Sequence, residues 1–168
     1  GRMRSLLTWL ARAATGARRV KSAPWEAVRA IQFAHFWNDI ERCVHYAIQQ
    51  LGLARTEDEE SAALAWLGYA MAYRGISWLS VSILEKVLAD ARKRGSGTLT
   101  ADLQPLLGLS YLMTGRSVEA QATFDAYDAE FPSAPEFYKL LTLTARINLH
   151  IAGGELIPAE KAIGRCFS

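Results

Sequence analysis

The chain has only two cysteines, Cys43 and Cys166, far apart in 168 residues. Two such cysteines build no disulfide framework, so reduced thiols and a reducing, cytoplasmic compartment are expected. Histidine is also scarce, at three residues. His45 stands two places from Cys43, on another side of any helix, and His35 and His150 have no ligand-spaced neighbour. Spacing therefore argues against a metal site. Gly95 and Gly97 lead into a polar stretch without the lysine that a phosphate-cradling loop needs. No serine or cysteine has an arguable base and orienting group, so no enzyme activity and no cofactor are expected. The run from Ser61 to Tyr73 is free of charge for only 13 residues, short of the roughly 20 that span a bilayer. The N-terminus is a poor secretory signal, because Arg12 interrupts its apolar stretch early. Alternating apolar and polar residues are absent, which excludes a strand-based fold.

What remains is a helical chain. Half of it is apolar (51%) and about a fifth charged (21%), the composition of one globular domain with a real core. The net charge of +2 conceals an asymmetry. Residues 1–30 hold seven basic side chains against Glu26 alone, whereas the other 138 hold twelve basic and sixteen acidic. A basic arm precedes a mildly acidic body. Within that arm, Met3, Leu6, Leu7, Leu10, Ala13, Ala14 and Ala17 repeat at three and four. Residues 1–20 are thus expected to form a basic amphipathic helix, and residues 21–168 the main domain. Such a helix can dock on its own protein, on a partner or on an anionic membrane. Nucleic acid is not expected, since the basic residues are not interleaved with a recognisable fold.

Capping patterns divide the body. Asn38 with Glu41, Thr56 with Glu59 and Ser133 with Glu136 each read as a helix start. Gly52 is a candidate stop. Lys93 to Thr98, KRGSGT, reads as a flexible loop, and a short last helix is expected around Pro158 to Cys166. The clearest unit runs from Ala101 to Pro132. Leu103, Leu106, Leu107 and Tyr111 stripe its first helix, Gly115 breaks it, Ser117 is a candidate cap, and Ala120, Phe124 and Tyr127 stripe the second. Gly108 inside the first helix costs about 1 kcal/mol relative to alanine, which implies another helix pressing close. Cys43, Trp37, Trp66 and Trp78 read as packing residues.

This unit recurs. Leu67–Gly68 matches Leu107–Gly108, Gly75 matches Gly115, and Leu84 matches Phe124, at a period of 40 with KRGSGT as the apparent insertion. A self-similar helix pair of this length signals a stacked array. Leu107, Gly108, Tyr111, Gly115, Ala120, Phe124 and Pro132 give the chain a resemblance to the tetratricopeptide (TPR) family. Tyr127 stands where that pattern has alanine. Residues 61–94 keep Leu64, Leu67, Gly68 and Gly75 and then depart; residues 21–54 and 139–168 match weakly.

The resemblance implies an all-α, right-handed superhelix of three to four antiparallel helix pairs, the first helix of each lining a concave groove. Groove positions would be Arg29, Gln32 and Phe33 in the first pair, then Ala65, Tyr69, Ala72 and Tyr73. Leu109, Leu112 and Met113 follow, and then Leu143, Ile147, His150 and Ile151. Partner contact is expected at Phe33, Tyr69, Tyr73, Leu109, Leu112, Met113, Ile147, His150 and Ile151. An apolar groove binds apolar helices or extended segments. The expected function is therefore a non-enzymatic adaptor or scaffold, similar in size and repeat number to small TPR chaperones of protein secretion, with self-association open to it. Two alternatives stand beside it: a membrane or complex-assembly scaffold anchored through residues 3–20, and a groove plugged by the protein's own leucine stripe, residues 3–17.

Overall fold

The Thr56–Glu59 pair shows how a helix start is written in this chain. Thr56 accepts from the Glu59 amide at 3.1 Å, and the Glu59 carboxylate reaches back to the Thr56 amide at 3.2 Å. Two orphan amides are satisfied at once, and Glu57, Asp58, Glu59 and Glu60 all lie in the first turn, where the helix dipole favours them. Thr56→Ala should cost about 1 kcal/mol, read as a lower urea midpoint at unchanged m-value.

The computed structural model describes Trp25, Val28, Arg29, Ile31, Gln32, residues 39–134 and residues 136–154. Six helices run in order: α1 (Ile40–Leu53), α2 (Glu57–Tyr73), α3 (Ser77–Lys93), α4 (Gly97–Met113), α5 (Ser117–Glu130) and α6 (Glu136–Ala152). The described residues of 25–32 are helical too. No strand occurs among the described residues. The expected N-terminal helix, the last helix around Pro158 to Cys166, the boundary at residue 20 and Phe33 lie outside them.

Several expected boundaries move. Asp39, not Asn38, caps α1, accepting from the Arg42 amide at 3.0 Å. Helix α1 runs through Gly52 to Leu53. Ser117 is the first residue of α5 and makes no cap bond. Ser133 lies in the turn ahead of α6. KRGSGT is not a flexible insertion, because Lys93 ends α3 and Gly97 begins α4. The reason is Gly95. It has φ +72°, as Gly75 has +77° and Gly115 has +76°, at a spacing of twenty residues.

The same pair of hydrogen bonds closes each of the three helices. Gly75 donates to Ala72 and Ile76 to Met71; Gly95 donates to Arg92 and Ser96 to Ala91; Gly115 donates to Leu112 and Arg116 to Tyr111, all at 2.9–3.1 Å. This is the Schellman closure, which needs a left-handed residue. The period of 40 is therefore two units of helix plus tight turn. Beginning α4 at Gly97 also places Pro105 in the helix interior. An interior proline costs about 3 kcal/mol in an exposed helix; here its ring is fully buried and fills core volume.

Successive helices pack on one another throughout, and alternate helices α2, α4 and α6 also pack side by side. No comparable contact joins α1 to α3 or α3 to α5. The α2–α4–α6 row is thus the tighter side of the array. The core lies between the rows: Leu64, Leu84, Leu103, Phe124, Tyr127 and Leu141 are almost completely buried. The pressure inferred at Gly108 is real. A Cβ there would sit 2.8 and 2.9 Å from Cζ and Cδ1 of Phe124 and closer still to Cε1. Gly68 repeats the arrangement more loosely, its nearest neighbours being Ile83 at 3.2 Å and Leu84 at 3.3 Å. Leu84 and Phe124, matched in sequence, each pack against the glycine sixteen residues before them.

Polar groups tie the rows together. Arg92 of α3 donates to Gln104 of α4 at 2.8 Å and to Glu130 of α5 at 3.0 Å, and Gln104 donates to the Thr123 carbonyl of α5 at 3.2 Å. Arg146 of α6 pairs with Asp125 and Asp128 of α5, both at 2.9 Å. Tyr111 donates to Glu85 at 2.6 Å and lies under the Arg116 guanidinium at 4.4 Å. Burial first, then this bond to Glu85, pushes its phenol up to about 12.

Candidate partner-binding site

The expected groove residues separate into a closed set and an open set. Tyr69 is 8% exposed and packs edge-on against Trp66, with centroids 6.1 Å apart. Burial, followed by the fields of Tyr73 and Cys43, pushes its phenol up to about 12. Ala65 and Ala72 are buried as well, and α2 is closed without a break from Ser61 to Ala70. Leu109 and Leu112 are half-buried and pack against the core. Ile147 and His150 are half-buried on α6.

Arg29 and Gln32 are drawn into contacts within the array. Gln32 is fully buried, donating to the Cys43 carbonyl at 3.1 Å and accepting from the Gln50 amide. Cys43 in turn donates its thiol to the Gln32 carbonyl at 3.5 Å, and burial pushes that thiol up to about 11. Three residues back, Arg29 pairs with Asp102 of α4. The segment thus links α1 to the α2–α4–α6 row. The leucine stripe of residues 3–17, expected as a plug, lies outside the described residues.

The open set consists of Tyr73, Met113 and Ile151, at 60%, 37% and 51% exposure. Tyr73 and Met113 are the last residues of α2 and α4, and Ile151 is next to last in α6. Because these helices pack side by side, their C-terminal ends form one edge. The following turns and helices extend it. Ile76 is exposed in the α2–α3 turn, and Trp78 and Val118, each the second residue of its helix, are 72% and 81% exposed.

Trp78 corrects an expectation, since the sequence reading made it a packing residue on the stripe of Val81 and Leu84. At 100° per residue it lies about 120° from Leu84 around the helix, and Val118 lies equally far from Phe124. That angle was available in the sequence. The three-residue register between Trp78 and Val81 masked it.

The described residues thus define a class: an all-α array of packed helical hairpins, compatible with a helical repeat, that exposes an apolar edge at its hairpin turns. Comparison with protein-family models, with curated proteins and with solved structures returns no match for the chain. Among the described residues, no group of three or more His, Cys, Asp or Glu is placed to hold a metal ion, and no helix is long and apolar enough to cross a membrane.

Proposed function

We propose that the chain is a non-enzymatic protein-binding scaffold, an adaptor or chaperone built as a TPR-like right-handed array that works in the cytoplasm. It takes an apolar helix or extended segment of a partner along the edge of Tyr73, Trp78, Met113, Val118 and Ile151. One observation supports this most directly: large apolar side chains are exposed at equivalent places in successive repeats. Isolated exposed apolar residues are ordinary, whereas rows of them mark interaction surfaces. The edge carries no substantial part of the core, so its exposure has no role in folding that would otherwise explain it.

The test uses partners recovered from the native host. A Tyr73→Glu, Met113→Glu double variant should fold, with unchanged helical circular dichroism, and recover at least about tenfold less partner, equivalent to about 1.4 kcal/mol. A folded variant that recovers as much partner as wild type rules the edge out.

A further inference from the structure

The guanidinium of Arg29 sits in a built environment. It pairs with Asp102 from α4, lies within the electrostatic reach of Tyr138 from α6, and sits 5.6 Å from the centre of the Trp25 ring. The side chains of Arg29 and Asp102 are 25% and 15% exposed, and Tyr138 is 5% exposed. Burial opposes the Arg29 charge, but Asp102 and Tyr138 outweigh it; burial and Asp102 together raise the Tyr138 phenol, whose oxygen can accept from the guanidinium while its proton faces Asp102. Beside them is the Tyr127 hydroxyl, buried and without a hydrogen-bond partner, within the field of Asp102. A carboxylate, a phenol and an indole face meet a planar cation in the way arginine favours and a lysine ammonium does not. The elements come from distant parts of the chain.

We propose that Asp102 and Tyr138, walled by Trp25, form a guanidinium-binding site against α4 and α6, filled in this state by Arg29. An arginine of a partner segment takes the site when the Arg29 side chain withdraws, so Arg29 is an internal competitor as well as a clasp across the array. This rests on the reading of the chain as a binding module, but it concerns a different face. Loss of partner capture at the Tyr73–Met113 edge leaves it standing, because its own readout is stability.

The test is chemical rescue of full-length Arg29→Ala. Ethylguanidinium below about 50 mM should raise its melting temperature saturably, by at least about 3 °C, as expected for a ligand that binds only the folded state. Ethylammonium should not, and neither wild type nor the Arg29→Ala, Asp102→Asn double variant should respond. N-acetylarginine amide, a peptide-borne guanidinium, should reproduce the rise. Should Arg29→Ala not fold alone, refolding yield with and without ethylguanidinium is the readout. An absent or non-saturable rise, an equal rise in wild type or in the double variant, or an equal effect of ethylammonium overturns the site. A response to ethylguanidinium but not to N-acetylarginine amide overturns the partner's arginine as its ligand.

Discussion

Phe124→Ala should lower stability by about 3–5 kcal/mol, the range for emptying a fully buried aromatic site. Phe124 is 0% exposed and sits at the centre of the α4–α5 contact, its ring against the backbone of Gly108. The informative part is the sign change at Gly108. In wild type, Gly108→Ala drives a methyl into that ring. Overpacking costs about 1–3 kcal/mol, and the gain of about 1 kcal/mol from replacing a helical glycine offsets only part of it. In the Phe124→Ala background the ring is gone, the propensity gain stands alone, and the same substitution should stabilise. Urea titration of the four proteins closes the cycle. Gly68→Ala is the control: its neighbours Ile83 and Leu84 stand at 3.2 Å and beyond and need give only a few tenths of an ångström, so its effect should stay within about 1 kcal/mol of zero. Equal losses at Gly68 and Gly108 would show that the ring contact is not what requires glycine.

The double variant Gly95→Ala, Gly115→Ala should lose about 2–4 kcal/mol, since each position holds a left-handed conformation that costs an L-residue about 1–2 kcal/mol. Both glycines have φ above +70°, and a Cβ at either meets nothing within 4 Å. Sterics therefore play no part, and the loss is conformational. The two turns lie at successive hairpin ends with no shared partner, so the single losses should add. Asparagine, which tolerates this region, should recover part of each loss. If Gly95→Ala alone is neutral, the twenty-residue helix–turn unit is not held by its closures, and the uniform spacing of Gly75, Gly95 and Gly115 has another cause.

These two cases mark what the amino-acid order decides on its own. The period-3.6 stripes of Leu103–Tyr111 and Ala120–Tyr127 determine helices, because only one face of each can leave water. Thr56–Glu59 determines a start, because both partners of the capping box lie within one turn. Gly108 announces close approach before any partner is known. Gly95 was just as legible, in the same place as Gly75 and Gly115, but the surrounding Lys, Arg, Ser and Thr make a tight turn look like a loop.

The candidate site was legible only in part. Tyr73, Met113 and Ile151 are both expected and exposed, whereas Tyr69 is expected and buried. Which of them water reaches depends on what lies across from them, and that is a property of pairs distant in the chain. Tyr69 packs edge-on against Trp66 and is 8% exposed, whereas Tyr73 at the helix end is 60% exposed. Arg29 and Asp102 are 73 residues apart, and no local pattern links them. Local order sets which residues share a face, because backbone geometry repeats every few residues. Only the folded array sets which faces meet, because that depends on how six helices divide the same apolar area among themselves. On that division rest both the open edge at Trp78 and the Arg29 guanidinium held against Asp102.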